Sequence, residues 1–225
     1  MAENRYTRQL TAEEIAQGVH RGFVGGFWDE IGQLQFDCLV RQGLRPHHQL
    51  LDVGCGCLRG GLHFIRYLDA GGYCGLDINP SLIEAAHREL DAAGLAAKAP
   101  QLLVDDAFEA GRFGRRFDYA IALSLFTHLH NNHVVRCLAR VAEVLAPGGS
   151  FFATFFEAPA PVHLSPLRHE PGGITTHYDR DPFHQSLDEI RALGQGAGLG
   201  VEPVEDWQHP RAQRMFCFRH LKRTG

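Results

Sequence analysis

Between residues 11 and 43, apolar side chains recur at helical spacing. Ile15 follows Thr11 and Glu14, which form a capping box. Over 27–42, Trp28, Ile31, Leu34, Cys38 and Val40 lie broadly on one side, and Gly43 with Pro46 behind it marks the end. Beyond this point the period changes. Short apolar runs at 49–53, 73–78, 102–104, 117–125 and 150–156 alternate with helical stretches at 60–69, 81–93 and 131–145. Ser81 with Glu84 opens the second of those helices as a capping box, and Pro147-Gly148-Gly149 closes the third. Strands alternating with helices predict a parallel sheet covered on both faces. Residues 199–207 and 214–221 read as two strands joined by a turn at His209-Pro210. They are too close for a crossover connection, so the sheet ends in an antiparallel hairpin.

The 225 residues suit one domain with decorations: a helical cover over 1–46 and an α/β domain over 47–225. Residues 157–185 break the rhythm and hold five of the eleven prolines, the pattern of a lid or an insertion after the fifth strand. No run approaches the ~18 apolar residues of a membrane span, and the first ten residues lack an apolar signal core. The expected location is the cytoplasm. A net charge of −4 gives no basic nucleic-acid footprint. The six cysteines are scattered without a CxxC, which fits a reducing compartment.

The sharpest local signal is Leu50-Leu51-Asp52-Val53-Gly54-Cys55-Gly56, a buried strand running into a loop whose glycines let a ligand approach the backbone. Asp77 lies 23 residues beyond Gly54, at the tip of the next run, where an acid accepts from ribose hydroxyls. The third run ends in Asp105-Asp106, followed by Ala107 and Phe108. An acid there accepts from an adenine amino group, with Phe108 as a ring wall. Three such tips point to a nucleoside crevice. A dinucleotide dehydrogenase requires its third glycine at position 59, which here is Arg59.

At these residues the chain resembles the class I S-adenosylmethionine-dependent methyltransferases. The resemblance rests on LLDVGCG (50–56), GLDI (75–78), VDDAF (104–108), FDYAIALSLFTHL (117–129) and LAPGGSFF (145–152). It implies a Rossmann-like, mostly parallel seven-stranded sheet with an antiparallel last strand, and S-adenosylmethionine as cofactor. It places the cofactor's methionine part against Gly54 and Gly56 with Asp52 beneath, ribose on Asp77, and adenine on Asp106, Ala107 and Phe108, with Cys55 and Ile78 as further cofactor-binding residues. Ser124 and Leu125 would face the amino-acid end. Many members carry a third loop glycine where this chain has Leu58; Arg59 beside it either reaches the cofactor carboxylate or is a surface arginine at a helix start.

The implied reaction is methyl transfer to an O or N atom of a small molecule. The alternatives are a macromolecular acceptor, or a protein that binds the cofactor without turnover. The partner expected is a small-molecule substrate, with no nucleic acid and no membrane, in a monomer or homodimer; no metal is required. His128, in SLFTHL, is either a general base or a structural histidine bonding the nearby backbone. In the insertion, His177, Tyr178 and His184 are the further catalytic candidates. His130 and His133 read as exposed helix-entry residues. Tyr6, Phe23, Phe27 and Trp28 suit either core packing or a substrate wall, and Gly32 and Gln35 are candidates for the cofactor or substrate mouth. Arg211, Arg214, Arg219, Lys222 and Arg223 suit the solvent face of an edge strand.

Overall fold

Thr11 caps the first helix as its sequence requires: its hydroxyl accepts from Glu14 N at 3.2 Å and the Glu14 carboxylate accepts from Thr11 N at 2.9 Å. The computed structural model describes residues 5–221. By contact they form two compact units that divide between Gly114 and Arg115.

In the first unit, helices α1 (Ala12–Ala16), α2 (Val19–Phe23) and α3 (Trp28–Arg41) precede strand β1 (Leu50–Val53). Then come α4 (Gly61–Tyr67), β2 (Tyr73–Asp77), α5 (Pro80–Ala92) and β3 (Gln101–Val104). The strands are parallel in the order β3-β2-β1, with Leu50 opposite Tyr73 and Cys74 opposite Gln101. β1 and β2 are buried along their whole length, as near-continuous apolar runs demand. Helix α5 starts two residues before the sequence pattern puts it. Asn79, not Ser81, is its cap and accepts from Ser81 N at 3.0 Å. Pro80 fits the first turn, where its missing N–H costs nothing.

The second unit runs β4 (Phe117–Ala122), α6 (Asn131–Val144), β5 (Leu145–Glu157), β6 (Leu167–His169), β7 (Ile174–Thr176), β8 (His184–Gln185), α7 (Leu187–Gly196), β9 (Leu199–Pro203) and β10 (Arg214–His220). β4 and β5 are parallel, while β10 lies antiparallel between β5 and β9. The α/β class, the mostly parallel order and the antiparallel last strand are as the sequence predicts. β10 is therefore not the edge strand its charges suggest. Its Arg219 pairs across to Glu202 at 3.3 Å and donates to Ser150 Oγ at 2.9 Å, and Arg214 pairs with Glu157 at 3.4 Å. Lys222 and Arg223 lie outside the described residues.

Pro147-Gly148-Gly149 does not stop at the helix end. It is a bulge inside β5: Phe117 faces Leu145, but Tyr119 already faces Ser150. A Cβ on Gly149 would stand 2.9 Å from Ala146 O and 3.0 Å from Phe117 O, so only glycine lets the bulge close. Beyond it the strand becomes aromatic. Phe155 meets Phe216 edge-on at 5.7 Å and Phe126 at 5.2 Å, forming the core beneath β5 and β10.

The insertion at 157–185 is partly built structure. β6 and β7 form a hairpin and β8 pairs with β5. Residues 159–162 and 164–166 are exposed, whereas Phe183, His184 and Gln185 are buried.

Candidate functional site

The tip of β2 organises the first unit's site. Asp77 is buried, and its carboxylate accepts from Gly56 N at 2.9 Å and Asn79 N at 2.8 Å. Burial raises its carboxyl above the usual range, and the two backbone bonds oppose that rise. The same acid therefore ties the glycine loop to the start of α5. Ile78 beside it and Val104 at the tip of β3 are both large apolar residues left about half exposed. At the third tip the two acids divide their labour. Asp105 accepts from Ala107 N, Glu109 N and Arg112, which hold its carboxyl below the usual range despite burial. Asp106 is exposed, and no described residue engages its carboxylate. Phe108 sits at φ +59°, a left-handed strain of the kind that clusters at ligand-binding turns.

The loop between β1 and α4 keeps the geometry that glycine would give even where it lacks one. Leu58 is fully buried at φ +70°. Cys55 turns its sulfur toward β2, where a Cβ on Gly75 would meet it at 2.9 Å, so only its backbone lines the loop. Burial raises the thiol of Cys55 well above the usual range and pushes that of Cys57 up to about 12, so neither is a nucleophile. Arg59 donates from one guanidinium nitrogen to Val24 O at 3.1 Å and Gly26 O at 3.0 Å, tying the loop before α3 over the glycines.

The N-terminal helices pack on this loop through the positions of Gly32 and Gln35. Gln35 is buried and its amide would collide with a Cβ on Gly60. A Cβ on Gly32 would stand 2.5 Å from the Arg59 carbonyl, a backbone atom that cannot swing away. Gly32→Ala should therefore cost about 1–3 kcal/mol, more than the gain in helix propensity returns. A thermal melt no lower than wild type would contradict this seating of α3. Phe23 and Trp28 pack against the core cluster of Leu10, Ile15, Cys57, Leu82 and Ala85, while Phe27 is half exposed. Asn79 extends the cover, donating to Tyr6 O and Arg8 O at 2.8 Å.

Asp52 lies beneath the loop, buried, accepting from the Tyr73 hydroxyl at 2.7 Å. Burial raises its carboxyl to about 7; the Tyr73 bond opposes and the Asp77 charge assists. An unfolded Asp titrates near ~3.9, so folding takes up a proton between the two values. This group's contribution is present at pH 4 and lost as pH rises through about 7. Asp52→Asn should gain stability relative to wild type across that window, read from melts at pH 4 to 8. A difference that stays constant with pH would refute it.

The second unit holds the other candidates. Ser124, at φ +55° just past β4, donates its N–H to Thr154 Oγ1 at 2.7 Å and its hydroxyl to Gln213 Oε1 at 3.0 Å. Thr154 also donates to Gln213, at 2.8 Å, and Thr127 donates to Ser124 O. This clamp fixes the turn Phe126–His128, whose first carbonyl partner is Leu125. His128 Nδ1 lies 2.6 Å from Asp181 Oδ1, with the two side chains 19% and 28% exposed. His130 and His133 are exposed.

His184 is not available for chemistry. It is 1% exposed: its Nε2 donates to His163 O at 2.6 Å, so its Nδ1 accepts from Thr176, which accepts in turn from His169. Tyr178 is exposed, and the Glu189 carboxylate together with slight burial raises its phenol above the usual range, away from base chemistry at neutral pH. His177 is half-buried, its backbone bonded to Pro182 and His184. Asn79, Val104, Thr154, Asp181 and Gln213 carry no signal that separates them in the sequence from ordinary loop and strand residues.

Residues 51–151 match a family model described as a methyltransferase domain. Among solved structures, the chain is similar to the CcbJ methyltransferase from Streptomyces caelestis, with TM-score 0.69 and 14% identity over 98% of this chain and 99% of that one. It is similar to magnesium protoporphyrin IX methyltransferase from Synechocystis PCC 6803 with bound S-adenosylmethionine, with TM-score 0.63 and 14% identity over 97% and 89%. The sugar N-methyltransferase KedS8 from Streptoalloteichus sp ATCC 53650 gives TM-score 0.63 and 18% identity over 92% and 93%. At these identities the likeness is one of fold.

Proposed function

We propose that the chain is a class I S-adenosylmethionine-dependent methyltransferase, as its methyltransferase-domain match and fold neighbours support, and that it moves a methyl group to an oxygen or nitrogen of a small-molecule metabolite. The observation that carries the reading is His128 with a carboxylate 2.6 Å from its Nδ1, just past the clamped turn at Ser124. An imidazole held in this way is suited to taking a proton from an O–H or N–H acceptor. A small acceptor is supported by the net charge of −4 and by fold neighbours named for porphyrin and sugar methylation.

The residues of the first unit fit the cofactor. Gly54 and Gly56 both hold left-handed backbone, at φ +74° and +54°, a turn of bare backbone suited to a close-approaching ligand. Asp77 would hold the ribose hydroxyls, Asp106 the adenine amino group, and Ile78 and Val104 the flat faces of the base. Gly54 and Gly56 would line the methionine part. When bound, S-adenosylmethionine supplies a methyl group on a sulfonium, already activated for attack. The chain's residues are left with two tasks: to align the acceptor with that methyl, which removes most of the entropic barrier, and to accept its proton at His128.

The test is incubation with methyl-labelled S-adenosylmethionine and separated small-molecule, RNA and protein fractions. Label should enter the low-mass fraction in step with release of S-adenosylhomocysteine. Label confined to RNA or protein, or no release with any fraction, would overturn the reading.

A further inference from the structure

We propose that Asp181 is a positioning residue: it sets the tautomer of His128, and it does so only while residues 181–185 are seated against the turn that follows β4. The inference deepens the base assignment of His128 and rests on it. Its first step is hydrogen-bond chemistry. An ionised carboxylate only accepts, so the His128 Nδ1 that lies 2.6 Å from Asp181 Oδ1 must carry the proton. A neutral imidazole has one N–H, which leaves Nε2 as the ring's acceptor. Free imidazole side chains favour the opposite tautomer, with the proton on Nε2, and that form cannot take a proton there. Asp181 thus selects the form that a base requires.

Its second step is where Asp181 comes from. It belongs to the return leg of the insertion, and that leg is seated on the turn by three further contacts. Phe183 N donates to Thr127 O at 2.8 Å, the Phe183 ring packs 4.8 Å from the His130 ring, and Gln185 Nε2 donates to Asn131 Oδ1 at 3.2 Å. Phe183 and Gln185 are buried. Behind them His177 N donates to Pro182 O and His184 N to His177 O, so the leg is braced as a unit. The contacts fall on Thr127, His130 and Asn131, which flank His128 in sequence. The carboxylate therefore reaches His128 as part of a docked segment, and the base is assembled by docking.

An ordinary half-exposed ion pair is the competing account. Such a pair contributes little and would leave the tautomer of His128 unaffected by undocking. Long-range proton–nitrogen correlation spectra of 15N-histidine protein separate the two without an acceptor substrate. They are recorded on the alkaline side of histidine's ordinary pKa of ~6.5, with His128→Gln assigning the signal. Wild type should show the proton on Nδ1 and a pyridine-like Nε2. Asp181→Asn should move the proton to Nε2 in most molecules, and Phe183→Ala should do so with Asp181 still present. Gln185→Ala, which removes one docking bond, serves if Phe183→Ala melts too low.

With the acceptor found by labelling, Asp181→Asn should lower kcat roughly 10- to 100-fold with KM and S-adenosylmethionine affinity unchanged. It should cost nothing further in a His128→Asn background. A wild-type spectrum with the proton on Nε2, or a further loss in that background, overturns the proposal. A tautomer retained in both docking variants overturns the docking step. If the spectra behave as expected but His128→Asn turns over normally, tautomer control stands and the base reading of His128 falls.

Discussion

Asp77→Ala is expected to weaken S-adenosylmethionine binding by roughly 30- to 1000-fold and to lower the melting temperature in the same variant. The affinity loss corresponds to about 2–4 kcal/mol, the worth of two charge-assisted hydrogen bonds to ribose hydroxyls. The stability loss follows from the fold. The Asp77 carboxylate accepts from Gly56 N and Asn79 N, and both donors lie in buried surroundings. Truncation leaves them unmatched at about 1–3 kcal/mol each unless water enters. The effect reaches further than the strand tip. Gly56 belongs to the cofactor loop, and Asn79 caps α5 and holds Tyr6 and Arg8 by their carbonyls. Asp77→Asn separates the contributions. It keeps one acceptor but sets an amide N–H against one backbone N–H, so stability should fall part-way and affinity nearly as far as in alanine. Calorimetry with S-adenosylmethionine and S-adenosylhomocysteine, beside thermal melts, reads both quantities. Binding within three-fold of wild type in Asp77→Ala would remove the acid from the cofactor site.

The strand tips were legible because the signal is local. A buried strand must be an apolar run, and a carboxylate at its end stands out against it, as at Asp52, Asp77 and Asp105. What the pattern could not divide was Asp105 from Asp106. Only the turn geometry shows that Asp105 is consumed by Ala107, Glu109 and Arg112, while Asp106 stays exposed. Pro147-Gly148-Gly149 misled for a similar reason: turn residues inside a strand carry the same local code as turn residues that end a helix. Ser81 with Glu84 matches the capping-box pattern, but Asn79 two residues earlier is the cap the structure uses. Gly32 and Gln35 illustrate a different limit. Their neighbours are Arg59, His63 and Gly60, and no window of sequence brings α3 against the glycine loop. The histidines of the insertion are alike as letters. The β6–β7 hairpin buries His169 and His184 around Thr176, and nothing in their spacing foretold it.

His128→Ala is expected to lower kcat by about 10²–10⁴-fold while S-adenosylmethionine affinity stays near wild type, since a positioned base contributes that much and the proposed ribose and adenine acids, Asp77 and Asp106, are other residues. His128→Asn is the more informative variant. Asparagine still places a hydrogen-bonding group toward Asp181 and preserves the contact that seats the return leg, but it cannot accept a proton in the transition state. If His128 is a base, alanine and asparagine are equally slow. If it is structural, asparagine restores most of the rate, because the turn at Phe126–His128 is already fixed by the His128 N–H on Leu125 O and by the Ser124 clamp to Thr154 and Gln213. That clamp supplies the control. Gln213→Ala removes an acceptor shared by Ser124 and Thr154 and should disturb the turn without touching the imidazole, so its loss should appear in stability as well as in rate. Of the three candidates in the insertion His177 is the remaining substitute, since His184 is locked in the core and Tyr178 holds its proton. Turnover within a few-fold of wild type in both His128→Asn and His177→Ala would mean that neither imidazole acts as a base. The rate would then come from alignment of donor and acceptor alone, and only acceptors that reach the site already deprotonated would be methylated.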